Sequence, residues 1–193
     1  AVEAGDLVIN SKKYSFGSDY KSLFTSVDLA GNPEILMYRH YDAGLSITHC
    51  VGSYTGGSES QTGVNLEFIK AFNCSDGKPE SLSAMVDLSD PTEYSIAKLV
   101  LSRDPRFYDT FYNKALRESS SMLYSYKFAS LEALDHYYAT RDQLPDWTGM
   151  FNFNDAPIMR LGEVVLNWIE AKAVLAEMSV GSVTQADIDA SIN

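Results

Sequence analysis

Three groups of side chains in this sequence have the types and spacings that chemistry can use. Glu163 and Glu170 stand seven residues apart on what reads as one helix face, which sets their backbones about 10 Å apart. Long carboxylate side chains on that spacing can adapt to the separation found in inverting glycoside hydrolases. Arg160 and Lys172 share that polar face, so a solvated, salt-bridged surface is the favoured reading. Arg103, Asp104 and Arg106 form a compact triplet able to meet an anionic sugar. The Asp104-Pro105 step between the arginines favours instead a turn tied to its scaffold. His40, His49 and His136 lack an i,i+4 partner or a Cys/carboxylate pattern suited to a metal, and packing or surface roles are favoured for them. There is no nucleophile elbow, phosphate loop or dinucleotide fingerprint. The residues therefore offer no catalytic centre, no metal site and no cofactor.

Composition narrows the partners. Acidic residues outnumber basic ones 26 to 15, for a net charge of −11. Nucleic acid is excluded as a ligand, because binding phosphates takes clustered Lys and Arg and no such cluster occurs. The same charge disfavours adsorption to anionic lipid. A neutral oligosaccharide or a protein partner is compatible with it. With 45% hydrophobic and 21% charged residues the chain is globular in type, and its length suffices for a well-cored domain. No apolar run reaches the ~18 residues that read as a membrane span. Residues 1–14 lack the basic start and apolar block of a signal peptide. Both ends read as interrupted helices, as in a piece of a longer protein. Cys50 and Cys74, 24 residues apart, span a loop whose closure would be worth about 3 kcal/mol; two unpaired thiols are the favoured alternative.

The elements that must carry these residues are legible in part. Val2, Leu7 and Val8 give a helical stripe ending near Lys13, and a second short helix is expected over Asp19–Ser26. Glu34–Tyr41, bounded by Asn32-Pro33 and Ala43-Gly44, reads as a strand. Residues 44–63 turn to Ser, Gly and Thr, a loop long enough to be functional or mobile. Asn65 is placed to cap a helix carrying Leu66, Ile69 and Phe72, before the turn Ser75–Pro79. Asp90-Pro91-Thr92-Glu93 resembles a capping box opening a helix to Ser102. Pro105 is expected to end that helix, with Arg106–Tyr112 extended. The alternation over Met122–Phe128 predicts a half-buried strand, and Leu131–Arg141 a helix. Asp155 with Pro157 predicts the start of a long helix, whose apolar stripe Leu161, Val165, Trp168, Leu175 and Met178 must be covered on more than one flank. Gly181 ends it, and Thr184 with Asp187 starts a second helix, completing a hairpin of the helical-repeat kind.

Four segments, taken in order, resemble the SusD/RagB family. Glu34-Ile35-Leu36 is similar to its "EiIf" strand, and Leu66–Gly77 to a helix leading into an Asp-Gly turn. Arg103-Asp104-Pro105-Arg106-Phe107 resembles its "RDPRF" motif, and Arg160–Ala171 its "RyAEvlLnyAEA" helix. The chain departs from the pattern at Gly162, where Ala is usual, and at Trp168, where a Tyr-like aromatic is usual; it stops at Asn193, where the family continues. The resemblance implies a mainly α fold with short strands: a tetratricopeptide-like helical scaffold plus an irregular, loop-rich region. Within one partial domain, residues 1–30 would be a helical end of the scaffold, 31–154 the ligand region and 155–193 the scaffold hairpin. It further implies non-catalytic binding of oligosaccharides or polysaccharides by a surface lipoprotein of the outer membrane. Uptake would run through a TonB-dependent transporter (SusC-like) as partner. A helical protein-interaction scaffold is the alternative.

Sugar recognition asks for exposed aromatic faces, which cover the C–H side of a pyranose, and for polar groups that meet its hydroxyls. Tyr54, flanked by the Gly/Ser loop, is the leading candidate, with His49, Gln61 and Asn65 near it in sequence. Trp147, in the Pro145–Gly149 turn, comes next. Tyr137 and Tyr138 read as packing residues.

Overall fold

Short side chains that bond their own backbone set several helix starts. Asn65 accepts from the Glu67 amide, Ser130 from Ala133 and Thr184 from Asp187, and each opens a helix. The computed structural model describes residues 1–17, 19–51, 63–115, 123–142, 144 and 151–191. In chain order the elements are α1 (Val2–Ser11), α2 (Ser22–Thr25), β1 (Ile35–Arg39), α3 (Leu66–Ala71), α4 (Ile96–Ser102), α5 (Pro105–Thr110), α6 (Leu131–Thr140), β2 (Ala156–Arg160), α7 (Leu161–Glu177) and α8 (Gln185–Asp189). Single turns of 3-10 helix occur at Ala43–Leu45 and Glu80–Leu82. The fold is mainly helical with short strands. Contacts divide it into two units: Ala1–Asp19, Asp28–His40 and Asp155–Asn193 form one, Tyr20–Val27 and Tyr41–Asn154 the other.

In the first unit α1 packs on α7, and the approach is close because Gly5 carries no side chain. A Cβ there would stand 2.7 Å from Trp168 Cδ1. Trp168 Nε1 donates to Asp6 at 2.9 Å, and the Lys172 ammonium sits 4.6 Å above the indole, a cation–π arrangement. β1 and β2 pair antiparallel, with Ile35 opposite Arg160 and Arg39 opposite Ala156. Buried Glu34 accepts from the Gly17 amide and from Arg160 Nη1.

Here the structure corrects the sequence reading. Asp155 does not cap a helix: it is fully buried, accepts from the Leu29 amide and meets His40 Nδ1 at 2.9 Å. Pro157 lies in a strand, because β1 needs a ladder partner and a two-stranded sheet is all edge, where proline is tolerated. The helix therefore begins at Leu161, which puts Gly162 in its first turn. The stripe is also narrower than expected. Leu161, Val165 and Trp168 are buried, whereas Leu166, Val174, Leu175 and Met178 are exposed.

The α7–α8 turn closes on Asp187, whose carboxylate accepts from the Thr184 amide and from Lys172 Nζ at 2.6 Å. These bonds, Lys172 first, hold its carboxyl down at about 2. A depressed acid stabilises the fold above its ordinary titration range and loses that contribution as pH falls through the folded-state value. The Asp187 side-chain NMR signal is expected to titrate near pH 2, and Lys172→Met to move that midpoint upward. An unmoved midpoint would contradict the pairing.

The second unit holds two aromatic clusters. One joins α3, α4 and α5 through Ile69, Leu99, Phe107, Phe111 and Leu123. The other joins Tyr112, Tyr124 and Tyr126 to Ala129, Ala133 and Leu134 of the α6 region. Three further expectations are corrected. Asp90 accepts from the Thr92 amide, and both Asp90 and Glu93 bind Lys98; the helix starts only at Ile96, after Ser95. Pro105 does push Asp104 out of the helical region, but it then opens α5 as first residue, with Asp104 as its cap, so Arg106–Thr110 is helical. No strand forms over 123–128: Leu123, Tyr124 and Tyr126 are all buried, and the pairing is a single bridge between Phe111 and Ser125. Alternation there marks residues buried in a bend, not the two faces of a sheet.

Candidate functional site

Two of the motifs meet in the second unit and build a groove. After α3, the chain turns at Cys74–Gly77, where Gly77 has a φ of 79°, a left-handed conformation favoured by glycine. That turn is pinned to the residues after α4: the Asp104 amide donates to Asn73 O and the Ser75 amide to Ser102 O, both at 2.9 Å. The rings of α3 and α5 then interlock edge to face, with Phe72 5.3 Å from Phe107 and Phe68 6.2 Å from Phe111. Beside this cluster opens a groove of about 320 Å³ lined by Tyr20, Phe68, Ala71, Phe72, Asn73, Arg106, Thr110 and Lys127. Phe68 remains 51% exposed.

The groove's polar groups are held in place. Asp104 grips the Arg106 guanidinium through Nε and Nη2 at 2.7 and 2.9 Å, a two-point bond that fixes its plane. The same bond holds the Asp104 carboxyl below, and the Arg106 guanidinium above, its usual range. Among the described residues, Arg106 Nη1 and the Asn73 amide group have no hydrogen-bond partner. Lys127 sits over aromatic faces, 4.1 Å from the Phe24 ring and 5.5 Å from Tyr20, and meets no carboxylate among the described residues. Behind it Lys21 donates to the carbonyls of Asp109, Tyr126 and Lys127. Burial brings the Lys21 ammonium down to about 7; the Asp109 charge opposes this and the Lys127 charge adds to it. An aromatic shelf with oriented N–H donors is what a saccharide face and its hydroxyls require.

The candidates expected from sequence lie elsewhere or outside the described residues. Tyr54, Gln61 and Trp147 are outside them. His49 is committed to joining its loop to the segment around Asn154. Its Nδ1 accepts from the Val51 amide, its Nε2 donates to Asn154 O at 3.1 Å, and its ring packs 4.6 Å from Tyr41. That network occupies both ring nitrogens. Asn65 spends its Oδ1 on the α3 cap. Sequence reading overlooked Tyr20, Phe68, Phe72, Asn73 and Lys127; the available signal was Phe68 and Phe72 at i,i+4 followed by Asn73.

Within the charged triplet, Arg103 and Arg106 divide the work. Arg103 is buried, with Nη2 2.6 Å from Glu80 and Nη1 3.2 Å from Cys74 Sγ, and Tyr94 donates to the same Glu80 carboxylate. It ties the end of α4 to the Cys74 turn and to Glu80, both within the second unit, while Arg106 faces the groove. Cys50 and Cys74 are not joined to each other. Glu163 and Glu170 are both exposed on α7. Glu170 borders a groove of about 750 Å³ with Glu3, Asn167 and Leu175, which Glu163 does not line. A cleft of about 360 Å³ lies by Thr25, Phe128, Ser130 and Phe153, where the Thr25 and Ser130 hydroxyls already bond the backbone. Among the described residues, no group of His, Cys, Asp or Glu could hold a metal ion.

No protein-family model matches the sequence. No curated protein matches it either. Among solved structures it is similar to a SusD-like carbohydrate binding protein from Bacteroides fragilis, with a TM-score of 0.73 and 18% identity. The match covers 100% of this chain and 39% of that one, so the chain spans about two fifths of that protein's length. The fold is SusD-like.

Proposed function

We propose that the protein captures oligosaccharides or polysaccharides without chemically altering them. The observation that carries this reading is the SusD-like fold, found along the whole chain in likeness to a carbohydrate binding protein. The α3/α5 groove supplies a suitable surface: exposed Phe68 and half-buried Tyr20 for the apolar side of a pyranose, and Asn73, Arg106 and Lys127 for its oxygens. In this reading residues 1–30 and 155–193 belong to a tetratricopeptide-like scaffold, and residues 31–154 carry most of the ligand region. The protein works as a lipoprotein on the cell surface, at the outer membrane, and hands its ligand to a TonB-dependent, SusC-like transporter. Among the described residues, no helix is long and apolar enough to cross a membrane.

Isothermal titration of the full-length protein against a panel of neutral and acidic oligosaccharides tests this. Saturable binding to at least one glycan is expected, with its chain length unchanged afterwards. No binding across the panel, or release of new reducing ends, would overturn the reading.

One observation favours a second role, protein docking. Val174, Leu175 and Met178 leave an apolar flank of α7 exposed beside Ala1 and Val2. Exposed apolar helix faces of this kind mark partner surfaces, and a transporter or a further helical layer would cover it.

A further inference from the structure

We propose that the α3/α5 groove selects acidic saccharides, those carrying a carboxylate or sulfate, over neutral ones; this rests on the glycan-capture reading above. The chain as a whole is strongly acidic, with 26 Asp and Glu against 15 Lys and Arg. The groove reverses that balance. Its charged lining is Arg106 and Lys127, and no Asp or Glu lines it among the described residues. Of the neighbouring carboxylates, Asp104 is engaged on the Nε and Nη2 side of Arg106, and Asp109 acts on the buried Lys21 behind the groove.

The geometry also points outward to an anion. Arg106 is held in plane by Asp104 while Nη1 is unengaged among the described residues. Lys127 is held against Phe24 and Tyr20, both uncharged rings, so its ammonium lacks a counter-charge. Cations placed beside an aromatic shelf favour a sugar that presents an apolar face and a charged substituent together. A neutral sugar gains from the shelf and from hydrogen bonds alone. An anionic substituent adds the attraction of both cations, which discriminates between the two classes.

The test uses full-length protein and four probes: a galacturonate tetramer, its neutral methyl ester, a sulfated galactose tetramer and the unsulfated tetramer. The acidic probes are expected to bind about tenfold or more tightly than their neutral counterparts. That advantage should shrink between roughly 0.05 M and 0.5 M salt as screening grows. Lys127→Gln should lower the ratio of acidic to neutral affinity about fivefold to tenfold, the acidic probes losing more than the neutral ones. Asn73→Ala, at an exposed loop position, should weaken both classes and serves as a second probe if Lys127→Gln proves poorly folded by circular dichroism. Stronger binding of one acidic arm assigns carboxylate or sulfate as the preferred group. Equal affinity for acidic and neutral probes overturns the selectivity while leaving glycan capture intact. An acidic preference unmoved by Lys127→Gln, or affinities for both classes unmoved by Asn73→Ala, overturns the assignment to this groove. Failure of every probe and of the wider panel removes both proposals.

Discussion

Replacing Arg103 with methionine is expected to destabilise the protein by about 3 kcal/mol, the cost of removing one partner from a buried ion pair. The arginine side chain is 1% exposed and its partner Glu80 is 13% exposed. Without the guanidinium, Glu80 keeps its bond from Tyr94 but loses its counter-charge in a site closed to water. Cys74 Sγ loses its contact as well, and the bridge between Cys74 and Arg103 loses the side chain that anchors it. Urea unfolding of Arg103→Met measures this. Arg103→Met combined with Glu80→Met should recover part of the loss, since removing both charges is far cheaper than stranding one. A loss below about 1 kcal/mol, the level of an exposed pair, would contradict the structural role. Because the same bridge positions Asn73 against Asp104, the variant should also lose glycan affinity out of proportion to its direct contacts.

Replacing Trp168 with alanine is expected to cost about 3–5 kcal/mol, the range for deleting a large buried aromatic. The indole is 7% exposed, donates to Asp6 and lies against the backbone of Gly5. Gly5→Ala makes the complementary test. A Cβ would meet Cδ1, Cβ and Cγ of Trp168 at 2.7, 2.8 and 2.9 Å, and overpacking of that kind costs about 1–2 kcal/mol beyond what helix propensity returns. In the Trp168→Ala background the contacts with Cδ1 and Cγ are gone and only the 2.8 Å contact with Cβ remains, so Gly5→Ala should cost less there than beside the tryptophan. That difference is a coupling energy between contacting residues. Purely additive effects would mean that α1 and α7 do not meet through these two residues.

What was legible in the sequence was local. Asn65 and Thr184 announce their helices because a short polar side chain bonds an amide two or three residues on, a geometry complete within one turn. The Glu34–Tyr41 strand was readable from its composition and bounding turns. The errors arose where a local signal met a distant partner. Asp155-Pro157 has the form of a helix start, but β1 captures that segment as its ladder partner, and Leu29 and His40 take the carboxylate. Pro105 reads equally as a stop and as a start, and the side chain that decides is Asp104, which caps forward.

The site was less legible than the frame. Tyr20, Phe68, Asn73, Arg106 and Lys127 lie far apart in sequence and converge only after the aromatic rings interlock. The residues favoured from sequence stand out for loop context, and those that can be followed have structural duties: His49 joins its loop to the Asn152–Asn154 segment and Asn65 caps α3. Net charge is equally silent about the groove: a chain-wide value of −11 does not show that its charged lining is Arg106 and Lys127.

The most direct measurement is a crystal structure of the full-length protein soaked with the galacturonate tetramer. A pyranose ring lying on Phe68 and Tyr20, with a carboxylate within about 3.2 Å of Lys127 Nζ or Arg106 Nη1, is the predicted result. A saccharide seated in the cleft by Phe128 and Phe153, or anywhere else with the α3/α5 groove left to water, would contradict it.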